Sequence, residues 1–319
     1  MDQAPARRLT FGIKTSQANT TYDEVLRTWL DADRVPAFEH AWLWDHLVPL
    51  RGNVRGPALE AWTLLGALAA RTQRLRLGVI VTSNRIRPPA VLAKMAATVD
   101  QISGGRLVFG IGAGGSAVPD DARRAMVQRE HDAYGLDVVP TGEAIGALGE
   151  ACEIARRMWA EDEPFDYEGH WYRLRGAICE PKPVQRPGPP IMIGAAGNRS
   201  LRIVARHADI WNCPTRGDVA EFERFSHVLD DHCADIGRDP GTIERSVQLL
   251  VDPTRQSVRA GGGLPPIAGP DQTRDLLLAF IAAGATHLVL APVASATDRP
   301  AQFLADEVVE PVRQQLRRA

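Results

Sequence analysis

The chain has 319 residues, and its hydrophobic and charged fractions, 45% and 24%, are ordinary for a globular protein. Lys plus Arg minus Asp plus Glu is 37 − 39 = −2, so no strong field favours nucleic acid or an anionic membrane surface as a partner. The four cysteines form no CxxC pair, and the N-terminal residues MDQAPARRLT contain no apolar signal core. We therefore expect a cytoplasmic protein with reduced thiols, a single domain over residues 1–319, and no membrane role.

Apolar runs that alternate with amphipathic segments predict eight strands, each followed by a helix. In chain order, the predicted strands are residues 9–14, 41–44, 75–81, 107–111, 191–193, 208–212, 246–251 and 286–291. The predicted helices are residues 22–35, 58–71, 88–103 and 141–159, one that starts near residue 198, and then 217–236, 271–283 and 303–316. This alternation predicts a (β/α)8 TIM barrel with insertions after strands 4 and 7. A doubly wound open sheet is the alternative, but the alternation continues without a domain break.

The second predicted strand runs directly into Asp45 and His46. The carboxyl ends of parallel strands are where ligands bind in α/β folds, so an imidazole at this point would face the barrel mouth. It could give or take a proton near neutral pH. The alternative is a structural histidine that hydrogen bonds a backbone carbonyl.

The segment from Leu75 to Gly115 reads as a strand, a loop, a helix and a second strand that ends in a glycine-rich loop. Its strands should be parallel neighbours. The residues predicted to share the buried face of the helix are Val91, Leu92, Met95, Val99 and Ile102. The loop at Gly112, Ala113, Gly114 and Gly115 lacks the GxGxxG spacing of a dinucleotide fingerprint. We interpret it as room for a flat ring at the barrel mouth.

Residues 115–135 are charged, and we expect them to be irregular, with Glu130 and His131 on a solvated surface. Residues 165–174 alternate enough to predict a small hairpin, and residues 252–270 resemble a mobile loop. The histidines show no ligand spacing such as HExxH, so no metal site is expected. No GxSxG motif is present.

A second glycine-containing loop, Gly194-Ala195-Ala196-Gly197, follows the fifth strand and precedes the helix that starts near Asn198. Backbone N–H groups at a helix start, with glycines that permit close approach, form a candidate phosphate site. The alternative is a tight strand-to-helix turn with no ligand.

Four blocks of the sequence resemble the bacterial luciferase-like superfamily and, within it, most of all the coenzyme F420-dependent oxidoreductases. They are WDHL at 44–47, LEAWTLLGALAARTQRLRLGVIVTSN at 59–84, RPPAVLAKMAATVDQISGGRLVFGIGAG at 87–114 and PPIMIGAAGNRSLRIVARHADIWN at 189–212. The resemblance covers nearly the whole chain. It implies a (β/α)8 barrel with the cofactor lying across its carboxyl face and a homodimer as the assembly.

The resemblance also implies roles for individual residues. Members of the family often have a non-proline cis peptide at the end of the third strand, which carries over to Val79–Ile80. His46 matches the active-site histidine of F420-dependent sugar-phosphate and alcohol dehydrogenases. The family's tryptophan and glutamate partners correspond to Leu50 and Gly115 here. The implied cofactor-binding residues are Asp45, Val79, Ile80, Asn84, Gly112, Ala113, Gly114, Gly115, Gly194, Ala195, Ala196, Gly197 and Asn198.

The leading functional hypothesis is an F420-dependent oxidoreductase that transfers a hydride between the deazaflavin and a small organic substrate with an activated C=C, C=N or C=O bond. One alternative is an FMN-dependent monooxygenase of the same fold, which uses reduced flavin and O2. Another is a non-catalytic barrel that binds a flavin or deazaflavin.

Overall fold

The computed structural model describes residues 8–50, 52–114, 121–215, 217–252, 259–261, 264–293 and 298–318. Within these residues, eight parallel strands close into a barrel, because the last strand (His287–Pro292) pairs with the first (Thr10–Lys14) as well as with the seventh (Glu244–Val251). The strands that form it are β1 (Thr10–Lys14), β2 (His40–Leu43), β3 (Arg76–Val79) with its continuation β4 (Thr82–Ser83), β5 (Leu107–Gly112), β8 (Ile191–Gly194), β9 (Ile210–Cys213), β10 (Glu244–Val251) and β13 (His287–Pro292). The predicted (β/α)8 fold is confirmed.

Helices cover the outside of the barrel. They are α1 (Tyr22–Arg34), α2 (Ala61–Arg71), α3 (Pro89–Ser103), α4 (Asp121–Tyr134), α5 (Thr141–Ala160), α6 (Asn198–His207), α7 (Val219–Asp235), α8 (Pro270–Ala282), α9 (Pro300–Leu304) and α10 (Glu310–Arg318). The predicted single terminal helix is interrupted, because a π-helical turn, Ala305–Val309, lies between α9 and α10. No described helix is both long enough and apolar enough to cross a bilayer.

The predicted insertions are present after the fourth and seventh barrel strands. The first contains α4 and a hairpin of β6 (Phe165–Glu168) and β7 (Arg173–Ala177), which confirms the hairpin. The second contains β11 (Arg259–Gly261) and β12 (Leu264–Ala268). The prediction that residues 115–135 are irregular is wrong for α4. That helix has few apolar residues, so its sequence carries little amphipathic signal.

Side chains inside the barrel alternate along each strand with side chains that pack under the helices. The cluster inside the barrel, which we call the lumen core, contains Trp42, Ile80, Val108, Met192, Ile210 and Val289. Gly12 of β1 leaves space for the His40 side chain, which lies in the same lumen, because a Cβ on residue 12 would lie 1.7 Å from Nδ1 of His40. Only a glycine on β1 permits the lumen side chain of β2 at that level.

The buried face of α3 differs from the predicted one. Leu92 and Val99 are buried as expected, but Val91 and Ile102 are 51% and 46% exposed. The helix instead buries small residues, among them Ala93, Ala96 and Ala97. Small side chains let α3 approach the barrel closely, and hydrophobicity alone did not identify that face.

Candidate functional site at the barrel mouth

His46 lies at the carboxyl end of the barrel, three residues beyond the end of β2. Its side chain is 24% exposed, so it is accessible from the mouth. The ring of Trp44 lies beside it, with centroids 5.3 Å apart and planes tilted by 53°. This tryptophan lies two residues before the histidine, whereas the family's tryptophan position, four residues after it, is Leu50 in this chain.

Glu130 of α4 is the hydrogen-bond partner of His46. One carboxylate oxygen, Oε2, lies 2.9 Å from Nδ1 of His46, and the other accepts from the backbone N–H of Leu47. Glu130 is 2% exposed and His131 is 3% exposed, so the expectation that both lie on a solvated surface is wrong. The charged composition of the segment predicts a solvated surface, but α4 turns these two residues toward the barrel.

Burial opposes ionisation of Glu130, but hydrogen bonds from His46 and from the backbone of Leu47 and Val48 outweigh it and lower the pKa of the carboxyl. Glu130 is therefore a carboxylate at neutral pH. A carboxylate only accepts hydrogen bonds, so it requires a proton on Nδ1 of His46. Tyr134, one turn further along α4, donates to the carbonyl of Leu47 at 3.2 Å and holds the same segment.

Asp45 is buried, and both of its oxygens are engaged within the protein. Oδ2 accepts from the backbone N–H of Ser83 at 3.0 Å and from Arg87 at 2.9 Å, and Oδ1 accepts from Arg87 at 3.0 Å. Glu60 contacts the same guanidinium. Burial raises the pKa of the Asp45 carboxyl against the opposing effect of Arg87. Asp45 thus fixes the bend after β3.

The cis peptide of the third barrel strand joins Ile80 to Val81. The position carried over from the family, Val79–Ile80, is therefore one residue too early. Val79 and Ile80 are buried, at 0% and 3% exposure, whereas Val81 is half-buried at the mouth. Similarity between short sequence blocks indicates which strand carries the cis peptide, but not which bond of that strand it is.

Gly112 and Gly194, which are paired on neighbouring strands, both lie against the Val81 side chain. A Cβ on either glycine would come within 2.8 Å of Cγ2 of Val81. Any larger residue at 112 or 194 would displace Val81. These three residues form a small apolar surface between the third, fourth and fifth barrel strands, as expected for the support of a flat ring.

Asn84 provides a buried polar group beside this surface. It is 2% exposed, its backbone N–H donates to the carbonyl of Gly112 at 2.9 Å, and its Oδ1 accepts from Tyr172 at 3.3 Å. Its Nδ2 is buried with no hydrogen-bond partner among the described residues. An unsatisfied buried donor is costly, so this amide fits a site that a ligand carbonyl completes. Tyr172, on the inserted hairpin segment, was not identified from the sequence.

The neighbouring loop is described only in part. Gly114 has a φ of 88° and approaches the side chain of Ser83, and Ala113 is half-buried. Gly115, which occupies the position of the family's glutamate, lies outside the described residues.

The loop from Gly194 to Asn198 leads from β8 into α6, as predicted. Gly197 has a φ of 88°, and as the N-cap of α6 it has no side chain with which to cap the first turn. The loop is anchored from behind, because Trp211 donates to the carbonyl of Ala195 and Ser200 donates to that of Ala196. Open N–H groups at the start of a ten-residue helix suit an anionic group.

A sequence model of the family described as luciferase-like monooxygenases matches residues 9–292. A phthiodiolone/phenolphthiodiolone dimycocerosates ketoreductase of Mycobacterium sp. (strain JLS) is 34% identical over 197 residues, or 60% of this chain and 48% of the relative. The chain thus spans about half the length of that ketoreductase. An F420-dependent glucose-6-phosphate dehydrogenase of Microbacterium testaceum (strain StLB037) is 30% identical over 245 residues, or 76% of this chain and 68% of the dehydrogenase.

Among solved structures, an F420-dependent secondary alcohol dehydrogenase in complex with an F420–acetone adduct superposes on the chain with a TM-score of 0.77. The two are 19% identical, and the superposition covers 96% of this chain and 99% of that one. At this identity the similarity establishes the fold.

Proposed function

The chain belongs to the luciferase-like monooxygenase family, and on that premise we propose that it is an F420-dependent oxidoreductase acting on a small organic substrate. The observation that carries the proposal is the pairing of His46 with the buried Glu130 at the barrel mouth. A histidine paired with a buried carboxylate can transfer protons, and this pair lies at the carboxyl end of the barrel, where barrel enzymes bind their substrates. Two of the similar proteins described above are F420-dependent dehydrogenases, which supports F420 as the coenzyme.

The residues at the mouth fit this coenzyme. The apolar surface of Val81, Gly112 and Gly194 would support the ring, and Nδ2 of Asn84 would donate to one of its carbonyl oxygens. The open N–H groups from Gly197 into α6 would bind the phosphate of its tail. When bound, F420 supplies a carbon centre that accepts or gives a hydride.

Glu130 orients the imidazole of His46, and His46 transfers the proton. Glu130 accepts a hydrogen bond from Nδ1–H of His46, which fixes the tautomer and the orientation of the imidazole. Nε2 of His46 then gives a proton to the oxygen or nitrogen of a substrate that is being reduced, or takes one from a hydroxyl that is being oxidised. The ionised Glu130 stabilises the imidazolium whenever it forms.

The second candidate is an FMN-dependent monooxygenase, which the description of the matching family favours. FMN carries a similar ring and a phosphate, so the same surfaces would serve it. The two candidates differ in the fate of the reducing equivalents, because a monooxygenase consumes O2 in proportion to the reduced flavin oxidised.

The test is a stopped-flow comparison of the purified protein with reduced F420 and with reduced FMN, in the presence and absence of O2. A panel of ketones, enones and imines serves as acceptors. We expect oxidation of F420 that depends on an acceptor and proceeds without O2 consumption. O2-dependent oxidation of reduced FMN that is coupled to oxygenation of an acceptor and exceeds the rate without protein, with no reaction of reduced F420, would establish the monooxygenase instead.

A further inference from the structure

Tyr172 connects the inserted hairpin to the barrel mouth. It ends the turn between β6 and β7, where the N–H of Gly169 donates to the carbonyl of Tyr172 at 2.9 Å. Its hydroxyl donates to Oδ1 of Asn84 at 3.3 Å, although the two residues are 88 positions apart. The hairpin therefore contacts the residue whose buried amide donor we assign to the coenzyme ring.

This turn is fixed on α5 by one carboxylate. Glu150 accepts from the backbone N–H of His170 at 2.6 Å and from that of Tyr172 at 3.0 Å. The N–H of Trp171, between them, donates to the same carboxylate at 3.0 Å. The indole of Trp171 also lies against α5, because a Cβ on Gly146 would come within 2.7 Å of its Nε1. Hydrogen bonds to a carboxylate are strong, so the place of the Tyr172 hydroxyl is set by the protein itself.

Arg85 determines the direction of the hydrogen bond between Tyr172 and Asn84. Burial raises the pKa of the Tyr172 phenol, and the positive charge of the nearby Arg85 opposes that rise. A guanidinium only donates hydrogen bonds, so it cannot accept the phenol proton. That proton therefore goes to Oδ1 of Asn84, which turns the NH2 group of the amide away from Tyr172.

Two buried donors at this point have no hydrogen-bond partner in the part of the chain that the structure describes. They are Nδ2 of Asn84 and Nε of Arg85. The stem of Arg85 lies against the loop after β5, because a Cβ on Gly114 would come within 3.3 Å of Cγ of Arg85. A buried donor without an acceptor is costly, so two of them on consecutive residues indicate a ligand that is rich in acceptors.

The oxidised and reduced forms of the coenzyme differ in how well they accept a hydrogen bond. Hydride uptake brings two electrons and one proton, so the ring gains a negative charge that its carbonyl oxygens share until a second proton binds. Hydrogen bonds to a charged acceptor are stronger than those to a neutral one, and hydrogen bonds in series polarise one another. A positive charge behind Tyr172 and Asn84 therefore favours the reduced ring.

We propose that Tyr172 is a positioning residue for the coenzyme. It orients the amide of Asn84 and, with Arg85 behind it, makes Nδ2 a donor that contributes more to binding of the reduced ring than of the oxidised ring. The inference rests on the proposed function for the place of the ring. The contacts of Tyr172 with Asn84 and with the hairpin are independent of that assignment.

The test measures the dissociation constants of oxidised and of reduced F420 under anaerobic conditions, by quenching of tryptophan fluorescence. The variants are Tyr172→Phe, which removes the hydroxyl, and Arg85→Gln, which removes the charge but keeps the Cγ beside Gly114. Tyr167→Phe is the matched control, because Tyr167 lies in the same hairpin but its hydroxyl donates to Glu153 of α5. Thermal denaturation verifies that each variant is folded.

We expect Tyr172→Phe to weaken binding of reduced F420 by about fivefold and that of oxidised F420 by about 1.5-fold at most, because the amide loses the donor that orients and polarises it. The ratio of the two constants then changes by about threefold. Arg85→Gln should change the ratio in the same direction, and Tyr167→Phe should leave it at the wild-type value. A hairpin that only supports the fold would weaken both forms equally, without a change in the ratio.

A ratio in Tyr172→Phe within about 1.5-fold of the wild-type ratio would overturn the proposal. Where that variant does not fold, Arg85→Gln decides by the same criterion. Failure of the wild type to bind either form of F420 would instead contradict the proposed function. The same comparison then uses oxidised and reduced FMN, whose ring also gains negative charge when it takes up a hydride.

Discussion

Histidines occupy two levels of this barrel in opposite environments. His40 and His287 lie in the lumen, each 3% exposed, with their rings stacked at 3.8 Å and 6°. Trp42 donates to Nδ1 of His40 at 2.6 Å, and Ser246 hydrogen bonds Nδ1 of His287. His46 lies at the rim, 24% exposed, and its partner is a carboxylate.

The surroundings of each histidine determine whether its ring can exchange a proton. Burial lowers the pKa of His287 to about 3, with a further contribution from Arg76. Burial also holds the pKa of His40 well below its usual range, with contributions from His287 and Arg76. These two rings are neutral packing elements. His46 has solvent on one side and an ionised Glu130 on the other, which is the arrangement that proton transfer requires.

The largest expected effect comes from removal of the rim histidine. His46→Ala should lower turnover by about 10²- to 10⁴-fold, the usual contribution of a positioned acid or base. F420 binding should change by less than about threefold, because the surfaces assigned to the ring and phosphate remain. Steady-state kinetics and a binding titration separate the two effects. His227→Ala, at an exposed position on α7, is the control, and equal turnover in both variants would remove His46 from the mechanism.

Glu130→Gln tests the carboxylate while it keeps the shape of the side chain. We expect turnover to fall by about tenfold to a hundredfold, since the hydrogen bond from His46 to a charged carboxylate becomes one to a neutral amide oxygen. The pH profile should change as well, because the charge that stabilises the imidazolium is absent. Glu163→Gln removes an exposed glutamate and should leave both unchanged. A pH profile of Glu130→Gln that superposes on the wild type would show that Glu130 only holds the loop.

The lumen histidines predict a pH dependence of stability. Both stay neutral in the folded protein, whereas in the unfolded chain they bind protons below pH of about 6.5. The unfolded state then holds more protons, so the free energy of unfolding should fall as pH decreases below that value. The slope is about 1.4 kcal/mol per pH unit for each histidine.

Urea denaturation at several pH values between 7.5 and 5 measures this slope for the wild type and for His287→Gln. The difference between the two proteins isolates His287 from the carboxyl groups that titrate in both. Identical slopes would contradict the assignment of His287 as a neutral core residue.

The smallest expected effect concerns Asn84. Asn84→Ala should weaken F420 binding by roughly fivefold, the value of about one hydrogen bond. The comparison with Asn84→Asp is informative, since a carboxylate offers no donor to a ligand carbonyl and should bind no better than alanine. Fluorescence titration checks both. Stronger binding by Asn84→Asp would show that the unsatisfied Nδ2 does not face the coenzyme.

The fold was predictable because its signals are local. Buried parallel strands are apolar runs, and His46 and the loop after β8 were identified by their positions at strand ends. Glu130 was not predictable, because α4 is polar and its contact with His46 joins residues 84 positions apart. The register of the cis peptide and the small-residue face of α3 were also missed, since both depend on packing between elements.

The central claim is that the rim of the barrel binds F420 beside the His46–Glu130 pair. A crystal structure of the protein with F420 tests it most directly. We expect the ring on the surface of Val81, Gly112 and Gly194, the phosphate at the start of α6, and Nε2 of His46 facing the reactive carbon. A ring bound elsewhere, or a rim closed by the protein's own side chains, would contradict the account.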